Sequence, residues 1–372
     1  MSGAPAQTRE SDAVGSRSQV VFGAMIWRAY GFTVALALAM SVAAVVVAAV
    51  YDLPLRDPDD AAGPTWLRLG LVIGAAFLTD VLPRCLRRAD GVRDVPASFR
   101  RVVRERWPRR QFVLVGVGLG SWYLTYVAFR NLKSFVPFVR DGIDDSTLVA
   151  WDRAITFGND PAVVLHDLLG TDVAAHFLSA VYIAWIVFVP VSLAAAMVWS
   201  RNLRLGSWYV TAIAIDWALG VVTYYLVPTV GPIYHQPGVF QDLSDTAAGR
   251  LQTSMWQERV DVIADPAATH AVQTIAAFAS LHVGITVTAC LVAHWAGLAA
   301  RIRWLLWGFL ALTVLSTVYL GWHYLFDAVG GVVLGAAGAM LGAVVTGNAH
   351  VLRGVTGEQV SEPASPVGAD RR

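Results

Sequence analysis

The chain has 372 residues, of which 56% are hydrophobic and only 15% are charged. Soluble domains are about 25% charged, and this chain contains several apolar runs long enough to cross a bilayer. The composition therefore excludes an ordinary soluble protein and indicates an integral membrane protein. A formal net charge of +1 gives no electrostatic support for nucleic-acid binding, so we expect no nucleic-acid partner.

The apolar runs predict an all-α integral membrane protein with about eight transmembrane helices, each near the roughly 20 residues that cross the hydrocarbon core. The second predicted helix is short and contains Asp80. The last two are separated by so few residues that the chain must turn sharply around His323. The predicted spans cover approximately residues 29–51, 66–83, 111–130, 174–200, 206–228, 274–297, 304–322 and 324–346.

These spans divide the chain into four regions. Residues 1–28 are expected to form a disordered cytoplasmic tail, and residues 347–372, rich in Pro, Glu, Ser and Gly, a second one. Residues 29–110 hold two additional transmembrane helices and an Arg-rich cytoplasmic loop. Residues 111–346 hold the remaining six helices, which we expect to form one bundle.

Two of the predicted connections are long. Residues 131–173 mix apolar and charged side chains around Gly158-Asn159-Asp160-Pro161, a pattern that predicts two short amphipathic helices at the membrane interface. Residues 229–273 exceed the length of an ordinary connection. We interpret them either as a lid over a binding site or as a mobile hydrophilic loop.

Charge alternates from one connection to the next. Residues 84–110 carry ten Arg against three acidic residues, and the short turns at 201–205 and 298–303 carry two Arg each. The positive-inside rule places these three connections in the cytoplasm. The intervening connections are acidic or mixed and are expected outside. Both termini of this multi-pass protein of the cell membrane are then cytoplasmic, and His282 and His323 lie at the extracytoplasmic face.

Three ionisable side chains at that face suit covalent phosphoryl transfer. His323 and Asp327 are four residues apart, which places both on one face of a helix, so the carboxylate can fix the tautomer of the imidazole. His323 is then a candidate nucleophile, and His282 a candidate acid for the leaving oxygen and base for the acceptor. The alternative is structural, because histidines at helix ends often cap carbonyls and Asp327 can cap the following helix.

Several segments around these residues form recognisable motifs. Ala279-Ser280-Leu281-His282-Val283-Gly284 is similar to P-S-L-H-x-G, with Ala in place of Pro. Ser316, His323 and Asp327 keep the spacing of S-R-x5-H-x3-D, and residues 227–234 are similar to a P-T-x-P-P-W segment. Together these motifs resemble the type 2 phosphatidic acid phosphatase superfamily. They are most similar to its inositol phosphorylceramide synthase-like branch, over about residues 111–346.

The resemblance implies a six-helix catalytic bundle that acts on a lipid phosphate or phospholipid within the membrane, with water or an alcohol as acceptor. It assigns His323, Asp327 and His282 to catalysis. Hydrogen bonds to phosphoryl oxygens are expected from Ser280 and from backbone amides near Gly231. The remaining motif residues expected at the substrate site are Pro232, Tyr234 and Tyr319.

The sequence departs from the superfamily pattern in its cations. The basic first motif, K-x6-R-P, is not present, and Thr317 replaces the Arg of the third motif. Phosphate binding must then come from elsewhere, and the candidates are Arg130 and Lys133 at the outer end of the third predicted span. Their alternative role is that of interfacial anchors whose charged heads reach the membrane surface.

Other function classes stay open at this point. Asp80, Asp216 and His294 lie within predicted spans, and buried ionisable groups there can mark the path of a transporter or channel. A non-catalytic lipid-binding protein would keep the same fold. No cluster of metal ligands is visible in the sequence, and Cys85 and Cys290 are separated by the predicted topology, so we expect no metal, no other cofactor and no disulfide.

Overall fold

The computed structural model of the protein describes residues 6–58 and 65–353. These residues form an all-helical structure, with 78% helix and no β-strand in the described ranges. The helices are α1 (Ala6–Val50), α2 (Thr65–Arg88), α3 (Val95–Arg106), α4 (Arg109–Val139), α5 (Asp145–Ile155), α6 (Pro161–Leu169), α7 (Val173–Ala194), α8 (Leu203–Leu226), α9 (Pro232–His235), α10 (Ala247–Ala264), α11 (Leu281–Trp295), α12 (Ala300–Tyr319), α13 (Leu325–Val345) and α14 (Ala349–Arg353).

Six helices in the described residues are long and apolar enough to cross a membrane, judged by length and composition. The predicted all-α membrane architecture is confirmed, whereas the number eight is not. The six apolar stretches are Val20–Val50, Arg109–Val139, Val173–Trp199, Leu203–Leu226, Ala300–Tyr319 and Leu325–Val345.

One of the two remaining predicted spans, at 274–297, has a physical reason for falling short. Helix α11 has only 15 residues, about 22 Å of rise, because the chain before it is not helical. There the backbone N–H groups of Ala277 and Phe278 donate to the Thr229 carbonyl and hydroxyl oxygens. Helix α2 stays a prediction as a span, because the side chains of residues 65–69 and 72 lie outside the described residues. Its buried Asp80 accepts hydrogen bonds from Arg106 at 2.6 and 2.8 Å and from the indole of Trp107 at 3.1 Å.

Two expectations about the chain ends change. Residues 6–28 were expected to be a disordered tail, but α1 runs without a break from Ala6 to Val50. The sequence between Pro5 and Pro54 contains no proline, so nothing in it stops the helix from propagating out of the apolar stretch. At the other end, α14 extends the described structure to residue 353, and residues 1–5 and 354–372 of the predicted tails lie outside the described residues.

Glycines on one face of α13 let α11 and α8 approach it closely. Gly331 and Gly335 face Ser280 and Gly284 of the α11 segment, while Gly342 faces Ala212 on α8. A Cβ at Gly335 would overlap the backbone of Gly284, so these helices can touch only through small residues. This contact brings the start of α11 against the start of α13, where His282 and Asp327 lie.

The long connections contain helices of their own. The two short helices predicted within 131–173 are present as α5 and α6. The connection at 229–273 holds α9 and the 18-residue helix α10. Leu251 and Met255, on one face of α10, cover a cavity beside the two histidines.

Candidate active site

The three predicted catalytic side chains are joined by hydrogen bonds. His323 Nε2 lies 2.9 Å from Nδ1 of His282, and His323 Nδ1 lies 3.2 Å from Oδ2 of Asp327. Asp327 is fully buried and His323 is 4% exposed. Carboxylate and imidazole therefore meet, but not on one helix face as predicted, because His323 precedes α13, which begins at Leu325. The second histidine meets the ring on its other side.

Backbone contacts fix the turn that carries His323. The carbonyl of Thr317, near the end of α12, accepts the N–H groups of Trp322 at 2.9 Å and His323 at 3.2 Å. Gly321 within this turn has φ +73°, in the left-handed region that favours glycine, and a Cβ there would meet the ring of Phe240. The backbone of the turn is therefore fixed by these hydrogen bonds and by Gly321, independently of the contacts that the histidine ring makes.

Two carboxylates of α5 fix the beginning of α13. Asp152 accepts the otherwise unpaired N–H groups of Leu325 at 2.8 Å and Phe326 at 2.7 Å. These are first-turn amides of α13, which have no partner within their own helix. Burial raises the pKa of Asp152 to about 6, although the two backbone N–H groups act in the opposite direction.

Asp145, the second of these carboxylates on α5, binds both the 228–231 segment and Tyr324, the residue before α13. Its carboxylate accepts the backbone N–H groups of Val230 at 2.9 Å and Gly231 at 2.8 Å, and the hydroxyl of Tyr324 at 2.9 Å. Asp145 and Asp152 are seven residues apart, so they share one face of α5. The seven-residue spacing of these two acids, with apolar residues between them, was the available sequence signal, but we interpreted it only as interfacial amphipathicity.

The tautomers follow from the hydrogen-bond pattern. If Nδ1–H of His323 donates to Asp327, then Nε2 of His323 carries a lone pair and accepts from Nδ1–H of His282. Burial, reinforced by the positive charge of Lys133, lowers the pKa of His323 to about 3. His323 lies in the turn between α12 and α13, and at neutral pH its imidazole is uncharged with Nε2 available as a nucleophile.

Next to the histidines is a cavity of about 580 Å³ between α4, α7, α8 and α11. It extends from His323 to Trp122, near the middle of the spanning helix α4, and to Pro190, in the last third of the spanning helix α7. Its walls are mainly apolar and aromatic. The aromatic residues are Trp122, Tyr123, Tyr126, Phe129, Tyr182, Trp185, Trp217, Tyr224, Tyr234 and Trp322.

Both proposed phosphate-binding cations line this cavity. Arg130 donates to the hydroxyl of Tyr126 at 2.8 Å and to the carbonyl of Pro58 at 3.3 Å. The ammonium of Lys133 lies 4.7 Å from the centre of the Tyr224 ring, within the range of a cation–π contact. Since both side chains face the site of the histidines, the alternative of interfacial anchors is less favoured.

Four of the predicted substrate-binding residues lie elsewhere. The N–H of Gly231 is already donated to Asp145, so it is not free for a phosphoryl oxygen. Ser280 is fully buried as the N-cap of α11 and accepts from Val283 N–H at 3.4 Å. The hydroxyl of Tyr319 donates to the carbonyl of Gly170, and Pro232 begins α9 away from the main cavity.

The other two motif positions behave differently from each other. Tyr234 lines the cavity as predicted, and its hydroxyl donates to the carbonyl of Gln252 on α10 at 3.0 Å. Thr317, at the position of the motif's Arg, donates its hydroxyl to the carbonyl of Thr313 at 2.9 Å. It therefore satisfies its own helix and does not replace the lost cation.

Two residues that the sequence did not single out shape the site. The indole of Trp185 donates to the carbonyl of His282 at 3.0 Å, and its ring centre lies 4.2 Å from that imidazole. Glu258 of α10 is the acidic member of the cavity lining among the described residues. Among those residues no group of His, Cys, Asp and Glu forms a candidate metal site.

Replacing Asp145 by Asn tests the connection between α5 and the turn at 324. The amide leaves one of the three donors unpaired, so we expect a loss of about 1–3 kcal/mol in unfolding free energy together with reduced turnover. Tyr324→Phe removes only one hydrogen bond and should cost less. Thermal unfolding in detergent measures both, and the exposed Asp141→Asn serves as the matched control, expected within about 0.5 kcal/mol. Equal stability of Asp145→Asn and wild type would contradict this role.

Comparison with known proteins gives one match. Residues 146–341, more than half of the chain, match the family model of the PAP2 superfamily. No curated protein and no solved structure matches the chain significantly. The matched range begins one residue into α5, after Asp145, contains both histidines and Asp327, and ends within α13. With this domain and its apolar helices, the chain belongs to the PAP2 superfamily.

Proposed function

We propose that the protein is a membrane phosphotransferase or phosphatase that acts on lipid phosphates through a phosphohistidine at His323. The observation that carries the proposal is the hydrogen-bonded series Asp327–His323–His282, which borders an apolar cavity that also holds Arg130 and Lys133. Superfamily membership supports the reaction class, phosphoryl transfer on lipid phosphates.

In the first half-reaction, Nε2 of His323 attacks phosphorus, an N–P bond forms and the bond from phosphorus to the lipid oxygen breaks. The negative phosphate favours protonation of His282, and the resulting imidazolium donates a proton to the leaving oxygen. Asp327 keeps the Nδ1 proton of His323 in place and stabilises the positive charge of the phosphorylated ring.

In the second half-reaction, an acceptor hydroxyl gives its proton to His282 while its oxygen attacks phosphorus and the N–P bond breaks. His323 returns to its starting state. The hydrogen bond between the two histidines must open when substrate binds, because the phosphoryl group occupies the space between Nε2 of one ring and the proton donor on the other.

The cavity supports a lipid as the donor. A soluble phosphate needs a hydrated cleft, whereas this cavity is walled by aromatic rings and reaches toward the middle of α4 and α7. Phosphoryl transfer depends mainly on positioning and on neutralising charge, and both Arg130 and Lys133 supply positive charge next to the histidines. The lipid tail can occupy the apolar part while the phosphate meets the cations.

Glu258 favours an alcohol over water as the acceptor. A carboxylate beside a phosphate site repels the phosphate, so we infer that Glu258 has another role that offsets this unfavourable effect. Burial raises the pKa of Glu258 while the charge of Arg130 opposes that rise. A carboxylate in this position can accept hydrogen bonds from a polyol. This supports the transferase alternative suggested by the synthase-like motifs, for which inositol is the type of acceptor expected.

Substituting His323 tests the covalent step. His323→Ala should lower turnover at least about 10³-fold because no neighbouring group replaces the nucleophile, and Asp327→Asn about 10²-fold with little change in substrate binding. Purified protein incubated with ³²P-labelled lipid phosphate should acquire an acid-labile, alkali-stable label that His323→Ala lacks. Exposed His176→Ala is the control and should label normally. A label that persists in His323→Ala would assign the nucleophile elsewhere, and no turnover or label in wild type would favour a transporter or a non-catalytic lipid-binding protein.

Neutralising the cavity cations tests phosphate binding. Arg130→Gln and Lys133→Gln should each lower kcat/KM about tenfold or more, equivalent to roughly 1.4 kcal/mol, because unpaired phosphate charge is costly in an apolar site. Arg250→Gln removes the same charge from an exposed pair with Asp245 and should stay within about twofold of wild type. Kinetics that are unchanged in both cavity variants would move the phosphate site to other residues.

Cysteine labelling tests the membrane orientation, which we propose to be cytoplasmic for both termini and extracytoplasmic for the histidines. Cys85 and Cys290 are buried and can be replaced to give a background without cysteine. In that background, an impermeant thiol reagent on intact cells should label Asp245→Cys and spare Arg101→Cys, both at exposed positions. The reverse pattern would place the histidine site at the cytoplasmic face.

A further inference from the structure

A second cleft, of about 490 Å³, lies at the opposite end of the bundle from the histidines. It opens where α1, the start of α8 and the turn after α13 come together. The 21 residues of α13 rise about 30 Å, and they separate this turn from His323. The cleft is therefore distinct from the candidate active site and lies at the face that the charge pattern predicts to be cytoplasmic.

Three basic side chains from three different elements border this cleft. Arg28 comes from α1, Arg204 from α8 and His350 from α14. No acidic side chain of the described residues lines it. The hydroxyl-bearing Ser207 lies among them, and Met25 and Leu203 provide an apolar side. Convergent basic groups with no acidic partner in the lining leave a positive charge to be neutralised by an anion.

The positions of these groups are fixed by buried contacts. The hydroxyls of Thr33 on α1 and Thr211 on α8 are hydrogen-bonded at 2.7 Å, which sets the register of the two helices. Asn348 is 3% exposed, and its side chain donates to the carbonyl of Arg204 at 3.4 Å and to the Thr346 hydroxyl at 2.9 Å. These contacts fix the backbone that carries Arg28, Arg204 and His350, whose side chains are themselves exposed.

We propose that this cleft binds the phosphate group of an anionic phospholipid from the leaflet opposite the active site. Guanidinium groups bind phosphate oxygens through paired N–H donors, and basic pockets between spanning helices at the cytoplasmic face suit anionic headgroups. At the level of the cleft, α1 exposes Val21 and Trp27 on its surface, and an exposed tryptophan is typical of the membrane interface. Acyl chains can therefore follow the apolar surface of α1 while the phosphate meets the arginines.

The site depends on parts of the chain outside the superfamily domain. Arg28 and His350 both lie beyond the matched residues 146–341, and only Arg204 lies within them. The first spanning helix thus acquires a binding role: with α8 and α14 it completes the anion site. Bound lipid would link these elements and stabilise the folded protein in proportion to its occupancy.

The test uses full-length protein in dodecyl maltoside, titrated with phosphatidylglycerol, phosphatidylcholine or inorganic phosphate. Binding is followed by the rise in unfolding temperature and by native mass spectrometry of bound lipid. Phosphatidylglycerol should bind Arg28→Gln/Arg204→Gln about tenfold or more weakly than wild type. The control Arg100→Gln/Arg101→Gln loses the same charge from exposed positions of α3 and should stay within about twofold. Arg28→Lys/Arg204→Lys keeps the charge and should recover part of the affinity.

Both double substitutions leave the candidate active site unchanged, so their difference reports on the cleft alone. Unfolding temperatures without lipid verify that each variant is folded. Equal affinities of wild type and Arg28→Gln/Arg204→Gln would overturn the proposal, and so would equal losses in both Gln variants. A third outcome is that inorganic phosphate binds, that this binding is lost in Arg28→Gln/Arg204→Gln, and that phosphatidylglycerol does not bind. That outcome would overturn the proposal of a lipid ligand and identify a soluble phosphate as the ligand.

Discussion

The geometry of the turn that carries His323 depends on two carboxylates of one short helix. Asp152 binds the first amides of α13, and Asp145 binds both Gly231 and Tyr324. Each buried amide left without a partner would cost about 1–3 kcal/mol. Without α5, the start of α13 would have to find other partners, and the turn with His323 would no longer be fixed between α12 and α13.

This arrangement connects the short helix α5 to the candidate active site. The histidine ring is then positioned from two sides, by the carbonyl of Thr317 at the backbone and by Asp327 at Nδ1. His282 is held independently, because Trp185 binds its carbonyl from α7. Elements that are far apart in sequence therefore fix the two imidazoles separately. Their mutual hydrogen bond at 2.9 Å is the contact that can open for substrate without disturbing the bundle.

The sequence could predict those features of the fold and of the site that depend on residues close together in the chain. The four-residue spacing of His323 and Asp327, the motif at His282 and the apolar spans each depend on neighbouring residues, and the structure brings the three side chains together. The role of Gly231 was not predictable in this way, because its amide is bound by a carboxylate 86 positions earlier. The predicted span at 274–297 was too long for the same reason. Its first residues look apolar, but their amides bond to Thr229 and remain outside the helix.

Because the third motif has no arginine, the positively charged side chains at the cavity come from outside the superfamily domain. Thr317 bonds to its own helix, so positive charge at the cavity comes from Arg130 and Lys133 on α4, before the matched range begins at residue 146. The segment after α1 supports that helix. Asn131 exchanges two hydrogen bonds with the backbone of Arg56, at 2.8 and 2.9 Å, and Pro58 accepts one from Arg130.

The guanidinium of Arg56 also donates to the carbonyl of Pro266 at 2.7 Å, in the segment that leads to Thr274 and Ile275 of the cavity wall. One connection therefore contacts both a cation of the cavity and the loop that closes its rim. A charge that the superfamily places on the third motif can move to α4 only if α4 is held at the correct depth beside the histidines. The packing of α1 against α4 and the contacts of residues 56–58 provide that constraint. In the proposed function, where Arg130 and Lys133 hold the phosphate, the N-terminal region therefore supports the helix that supplies the charge absent at Thr317.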